Sequence, residues 1–496
     1  MIKQDLYGRK KRIIDSIFVF RSGIFLIVWR FDVEQLGQKL LKEKVVTEEQ
    51  LEKAIERQRL QGGRIGHNLV ALGFITPEEL NTFFKRYPKA PKTVEDTRLE
   101  LSFIADLTMK HILFMGDFKV TDVSKRIKLP ISIVDLAVGI LRQEKFIEVK
   151  GVDGVAYIFN ITGRGRNKAA ELLDICRYVG PAPVILGEYT KMVEFQTMKN
   201  IVVSEESVKR AFSDIIISEH LLKRLGPAIS SGKAIFIYGP PGNGKTVIAE
   251  TIGKVLPETV YIPYSLIVGG QIITVFDPVS HIPATLEKEA DAVDHRWVLI
   301  KRPTIMTGGE FTLRTLDLDF NNISKFYEAS LQMKANNGLF IVDDFGRQQI
   351  DPQDLLNRWI VPLERRTDFL TLHTGMKFSI PFDQLVIFST NIEPKNLVDE
   401  AFLRRIRYKI MIDHPTEEEY EAIFKRVCES NGIAFKRDVF DYLINNFYHK
   451  LGVRLNACHP RDLIDHIIDD AHYYNHPAQL TKKGIVAAWE NYFVEM

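Results

Sequence analysis

Apolar positions along this chain change their period several times, and each change marks a different kind of element. Leu36-Gly37, Leu40, Val46-Thr47, Glu49, Leu51 and Arg57 are matched 29 residues later by Ile65-Gly66, Leu69, Ile75-Thr76, Glu78, Leu80 and Arg86. Each copy predicts a short helix, a threonine N-cap and a second helix, a unit that buries its apolar face against its twin. Helical spacing then covers Val120–Ile127 and Ile131–Leu141. Two strands follow, Phe146–Val149 and Ala156–Asn160, joined by residues 150–154, and a further helix runs from Gly165 to about Leu173. Three unbroken apolar runs come later: Ala234–Tyr238, Leu339–Val342 and Leu385–Thr390. Runs this short without alternation predict parallel strands covered on both faces. The first leads through a glycine-rich turn into Val247–Leu256, which carries apolar residues at helical spacing.

These shifts divide the chain into an N-terminal segment (1–32), a helical tandem-repeat domain (33–90) and a helix-and-hairpin domain (99–176). A linker (177–199) that reads as extended over Tyr178–Pro183, an α/β core (200–412) and a helical C-terminal domain (413–496) complete the order. Several domains are what 496 residues predict. A net charge of +2 offers no global attraction for nucleic acid. The three cysteines, Cys176, Cys428 and Cys458, form no C-x-x-C pair, which fits a reducing, cytoplasmic compartment without structural zinc. The apolar stretch Ile13–Trp29 follows a basic cluster but is broken by Asp15 and Arg21. A charge near the centre of a span costs about 2.5–3.5 kcal/mol on insertion scales, so no membrane span is expected there.

Candidate chemistry concentrates in the α/β core. Gly239-Pro240-Pro241-Gly242-Asn243-Gly244-Lys245-Thr246 fits the phosphate-loop pattern G-x-x-x-x-G-K-[ST], between a strand and a helix as that pattern requires. Its glycines let backbone N–H groups turn inward towards an anion, and the helix N-terminus adds partial positive charge. Lys245 is placed for the β- and γ-phosphates of ATP, and Thr246 for Mg²⁺. The second apolar run ends in Asp343-Asp344, one acid for the Mg²⁺ shell and one for the attacking water. The third ends at Asn391, at the carboxyl end of a strand, where γ-phosphate or water is within reach.

In this order the motifs resemble those of AAA+ ATPases over roughly Met192–Met496, with Asp344 standing where most relatives have glutamate. The resemblance implies a doubly wound parallel sheet with a C-terminal α-helical lid, and a ring of subunits, typically six. It further implies that Asp399–Ile406 supplies an arginine finger, Arg404 or Arg405, to the neighbouring subunit. Arg461, in Cys458-His459-Pro460-Arg461-Asp462, resembles the sensor 2 arginine of AAA+ lids. His459, His472 and His476 have no convincing metal-ligand spacing and are expected on a solvated face. The long insertion between the phosphate loop and Asp343 contains Gly269-Gly270 and Gly308-Gly309, which fit either a mobile substrate loop or hairpin turns.

Upstream, the paired repeat resembles the N-terminal domain of type II secretion and type IV pilus assembly ATPases, one branch of which binds cyclic di-GMP. The second copy keeps Arg64, Gly66, Leu69 and Gly73 of that pattern. The first has Gln35 and Lys44 where arginine and glycine are usual, which favours a protein-docking role. The helix-and-hairpin order over 99–176 is that of a winged helix-turn-helix. Between Ile131 and Leu141 only Asp135 is charged and no Asn, Gln, Arg or Lys is placed to read base edges, so a protein partner is expected rather than DNA. Three functions follow as expectations: a ring-forming AAA+ ATPase that remodels or gates a protein in a pilus, secretion or motility pathway; an ATP-switched DNA-binding regulator; and a nucleotide-sensing switch with little turnover.

Overall fold

The computed structural model describes residues 40–41, 45–62, 65–76, 79–80, 87–257, 259–285, 293–397 and 400–493. The chain forms two compact units, Met1–Lys85 and Arg86–Met496. The apolar stretch Ile13–Trp29, Gln35, Lys44 and Arg64 lie outside the described residues.

In the first unit the repeat is visible atom by atom. Thr47 caps helix Glu48–Gln61 through a capping box with Gln50, and Thr76 makes the same reciprocal pair with Glu79. Three matched apolar pairs, Leu40 with Leu69, Val46 with Ile75 and Leu51 with Leu80, are all buried. The sequence period therefore reports matched buried positions.

After a single turn at Val94–Thr97, the second unit has helices Leu101–Ile112, Val120–Ile127 and Ile131–Gln143. An antiparallel hairpin follows, Ile147–Asp153 with Ala156–Ile161, and then helix Gly163–Ile175. The hairpin is longer than its pattern predicts, because residues 151–153 join the ladder past a bulge at Lys150.

The expected linker, 177–199, has structure of its own beyond the Tyr178–Pro183 stretch read as extended. It carries a short strand, Val184–Ile185, and helix Leu186–Phe195, whose Tyr189 and Val193 are buried. Tyr178 Oη lies 2.8 Å from both the Pro181 carbonyl and Ser265 Oγ, while the Ala182 N–H donates to the Ile127 carbonyl at 2.7 Å. Pro181 and Pro183 forbid a helix across the segment, yet extended backbone at that point still reaches partners on both sides.

The unit's centre is a five-stranded parallel sheet. Its strands are β1 (Ile235–Tyr238), β2 (Thr304–Thr307), β3 (Leu339–Val342), β4 (Leu385–Thr390) and β5 (Tyr408–Met411), in the order β5-β1-β4-β3-β2. Alternation is hidden in the apolar runs because both faces are covered. Ile235, Ile237, Leu339, Ile341, Leu385 and Ile387 meet helices Glu219–Ser231 and Lys245–Ile252. Phe236, Phe340, Val342, Val386 and Phe388 meet Leu355, Leu356 and Trp359 of helix Pro352–Arg365. Each such side chain contributes about 1.5–3 kcal/mol relative to exposure.

Inserted segments build a second, mixed sheet in the order Asp319–Asn321, Phe326–Glu328, Gln271–Thr274, Ser265–Val268, Val184–Ile185. Gly269 and Gly270, with φ of +55° and +77°, form the two-residue turn between Ser265–Val268 and Gln271–Thr274. Of the two readings of that glycine pair, the hairpin turn is the one found. The C-terminal part is helical: Glu417–Ser430, Arg437–Leu443 continuing through a π-helical stretch Ile444–His449, His459–Tyr473 and Lys482–Tyr492 around one core. No helix among the described residues is long and apolar enough to cross a membrane.

Candidate functional site

The carboxyl ends of β1, β3 and β4 converge on one side of the sheet, where the strand order reverses next to β1 and an open α/β sheet binds its ligands. β1 runs into Gly239 at φ +143°, where a Cβ would sit 1.9 Å from the Ile412 carbonyl oxygen. No side chain fits. Gly239→Ala is expected to destabilise the unit by about 1–3 kcal/mol, the usual cost of forced overpacking, read as a lowered melting temperature. Gly242 and Gly244 also hold positive φ, +77° and +81°, and Gly244 opens helix Lys245–Ile252.

Lys245 is buried, and its ammonium donates to the carbonyls of Gly239 at 3.0 Å and Pro240 at 2.8 Å. Burial pulls its pKa down, opposed by the carboxylates of Asp343 and Asp344. Thr246 Oγ1 donates to Asp343 Oδ2 at 2.8 Å. That hydroxyl and carboxylate, on different elements, form a hard-oxygen pair of the kind Mg²⁺ takes. Asp343 is fixed from behind, its N–H donating to the Thr307 carbonyl at 2.8 Å and its carbonyl accepting from Gln348 Nε2 at 2.7 Å.

Asp344 is exposed and sits at φ +48°. Asp and Asn tolerate this left-handed region better than longer side chains do. The turn thus gives a local reason for aspartate here. Asn391 Nδ2 donates to Asp344 Oδ1 at 3.4 Å, joining the ends of β3 and β4.

The helical C-terminal part closes the other side. The Cys458 N–H donates to the Gly242 carbonyl at 2.8 Å, and the Ala457 N–H to Asn243 Oδ1 at 3.0 Å. Arg461, exposed, lines the same opening and donates to Asp462 Oδ1, which holds its guanidinium pKa up. The result is a cleft of about 420 Å³ lined by Pro241, Gly242, Gly244, Lys245, Thr246, Asp343, Asp344, Asn391, Cys458 and Arg461 among others.

Other candidates fall elsewhere. Arg404 pairs with Glu400 at 3.1 Å and Arg405 with Glu364 at 2.5 Å, and neither lines the cleft. Asp399 lies outside the described residues. His459 is buried rather than solvated, correcting its expectation, because it stacks on Tyr448 within the helical core. No cluster of three metal-ligating side chains occurs among the described residues. In the repeat, Gly66 and Leu69 are buried within helix Ile65–Ala71, and Gly73 holds φ +69° in the turn after it. Core packing and turn geometry account for all three.

Sequence reasoning missed Asn456 and Gln348. Neither belongs to a spaced motif, and Asn456 reaches Asn243 across 213 residues.

Known proteins match the chain in parts. A family model described as "Domain of unknown function (DUF8689)" covers residues 416–491, the helical C-terminal part. The vesicle-fusing ATPase of Dictyostelium discoideum is 48% identical over 48 residues, 10% of this chain and 6% of that protein. A probable spastin homolog of Brugia malayi is 24% identical over 245 residues, 47% of this chain and 41% of that protein. The chain thus spans a minor share of the curated relatives it matches. Among solved structures, domain III of the Thermotoga maritima replication initiation protein DnaA aligns at TM-score 0.34 and 13% identity, over 58% of this chain and 98% of that one. The Thermotoga maritima RuvB Holliday junction branch migration motor aligns at TM-score 0.31 and 13% identity, over 61% and 74%.

Proposed function

We propose that this chain is an AAA+ ATPase that binds Mg-ATP in the cleft and hydrolyses it within a ring of subunits, six by analogy with the resembled family. One observation carries the reading: Lys245, Thr246, Asp343, Asp344, Asn391 and Arg461 come from four separated stretches and line one opening. Backbone N–H groups of residues 242–246 cradle the phosphates, and Lys245 leaves its two carbonyl partners for the β- and γ-oxygens. Thr246 and Asp343 are the residues that would hold Mg²⁺, which when bound offsets charge on the β- and γ-phosphates. Asp344, steadied by Asn391, orients a water in line with the γ-phosphorus and takes up its proton as the bond to the ADP oxygen breaks. Arg461 reaches the γ-phosphate from the lid.

Arg404 and Arg405 lie away from the cleft of their own chain, which fits a finger acting on a neighbour. Their substitution is expected to spare ATP binding and abolish turnover. Mixing a Lys245→Ala chain with an Arg404→Ala/Arg405→Ala chain is then expected to restore part of the activity, since some interfaces pair two intact halves. Verified mixed assemblies with no recovery would assign both arginines a structural role. Steady-state phosphate release by the wild-type chain separates the ATPase reading from a nucleotide-sensing switch, which the short Asp344 keeps open.

The helix-and-hairpin module is read as a winged helix that docks protein. Helix Ile131–Gln143 exposes Ile131, Ser132, Asp135 and Leu136, a face without the Arg, Lys, Asn or Gln that reads bases bidentately. The tandem repeat is read as a second docking module, with cyclic di-GMP as the ligand to exclude by calorimetry. A pilus, secretion or motility pathway is the setting its resemblance points to, and the cytoplasm the compartment.

A further inference from the structure

The lid and the phosphate loop are joined by more than two backbone contacts. A chain of side chains runs inward from the loop, and its geometry fixes the role of each member. The Ala457 N–H can only donate, and it faces Asn243 Oδ1 at 3.0 Å. Asn243 must therefore turn its amide nitrogen to Asn456 Oδ1, 3.3 Å away. That leaves Asn456 Nδ2 facing His459 Nε2 at 3.2 Å, so this ring nitrogen must be an unprotonated acceptor. The ring proton then resides on Nδ1, which donates to Tyr448 Oη at 3.0 Å, and Tyr448 in turn meets Tyr420 Oη at 2.7 Å. Tyr448 is set between the two by the π-helical stretch Ile444–His449. From Ala457 to Tyr448 every donor points the same way, because one backbone amide at the cleft dictates the first choice.

We propose that His459 is a positioning residue that latches the lid onto the phosphate loop, acting through Asn456, and that the latch closes only on neutral imidazole. This deepens the nucleotide-binding reading and rests on it. A proton added at Nε2 would set an N–H against the Asn456 amide. Flipping Asn456 moves the conflict to Asn243, and flipping Asn243 moves it to the Ala457 N–H, which cannot turn. The conflict is relieved only by parting lid from loop. The groups facing the ring are Asp462 on its own helix, His414 beyond β5, Tyr448, and Tyr492 with Phe493 from the last helix. Burial, first among these influences, holds the imidazole down at about 4, with Asp462 opposing and His414 assisting. Across neutral pH the latch is therefore closed.

The test compares full-length wild type, Asn456→Leu and Asn456→Asp, titrated with a fluorescent ATP analogue and Mg²⁺ from about pH 6 to about pH 8.5, around the unperturbed histidine range. Wild-type affinity is expected to stay flat in this window. Asn456→Leu is expected to bind about tenfold more weakly at every pH, the scale of one or two lost hydrogen bonds. Asn456→Asp places a carboxylate that accepts from both Asn243 and a protonated His459, which raises the histidine pKa. Above that pKa the ring keeps its remaining proton on Nε2 for the carboxylate while Tyr448 Oη donates to Nδ1, so the latch weakens from an ion pair to a single charge-assisted hydrogen bond. Affinity should accordingly exceed the leucine level throughout and be several-fold tighter at the acid end than at the alkaline end. Leucine-variant binding equal to wild type overturns the proposal, and so does an aspartate variant without this pH dependence. The aspartate variant carries its own control, because both ends of its titration use one folded protein. A wild-type chain that binds no nucleotide would refute the ATPase reading instead. The latch is then read from hydrogen exchange at the Ala457 and Cys458 amides: faster in Asn456→Leu supports it, unchanged overturns it.

Discussion

Lys245→Ala is expected to weaken ATP binding by about 10²-fold, and nucleotide titration of the full chain is the measurement that checks it. The size follows from removing a desolvated charge partner of phosphate, worth about 2–5 kcal/mol where such pairs are truncated. The loss has a second component in the empty protein. Lys245 Nζ satisfies the Gly239 and Pro240 carbonyls, and alanine leaves both without that donor, so the loop itself should loosen. A variant that binds ATP like wild type would show that phosphate charge is met elsewhere.

Asp344→Asn is expected to hold ATP within about threefold of wild type and to lose about 10²–10⁴-fold in turnover, the usual range for removing a positioned proton acceptor. The substitution keeps the size of the side chain and the asparagine-tolerant left-handed backbone at φ +48°. Folding should therefore be spared, and the effect should fall on hydrolysis. Phosphate release measured beside equilibrium binding separates the two. Hydrolysis at the wild-type rate would remove Asp344 from the role of water-orienting acid. Asp344→Glu is expected to strain the same turn without restoring a faster reaction.

The legible parts of this protein are those where function or burial constrains adjacent residues. The strand, turn and helix around Lys245 could be read outright, since three glycines at left-handed or otherwise open φ and a lysine leave little freedom. β1, β3 and β4 were legible because both their faces are covered, which makes the runs uniformly apolar. β2 and β5 were not. They are the sheet's edges, and Thr304-Ile305-Met306-Thr307 and Tyr408-Lys409-Ile410-Met411 carry the mixed polarity of half-covered strands. Segment 177–199 was legible only in part: its prolines exclude a helix at 181–183 but say nothing of helix Leu186–Phe195 after them. Asn456 escaped because its meaning lies in a partner 213 positions away. Asp343, Asn391 and Arg461 could each be suspected singly, and only the structure brings them to one opening.

The seam formed by residues 176–183 governs how the helix-and-hairpin module can act. Lys110 Nζ donates to the Cys176 carbonyl at 3.2 Å and the Arg177 N–H to the Ser324 carbonyl at 2.9 Å, beside the contacts of Tyr178 and Ala182. Ile272 of the inserted sheet is buried in the module's own core. A module on a slack tether would serve by raising the local concentration of whatever it holds. This one has no slack: a pull on the hairpin tip near Val155 passes through packed side chains into the inserted sheet. If the module docks protein as proposed, it works as a handle fixed to the tool, and the direction of the grip is set by the fold rather than by diffusion.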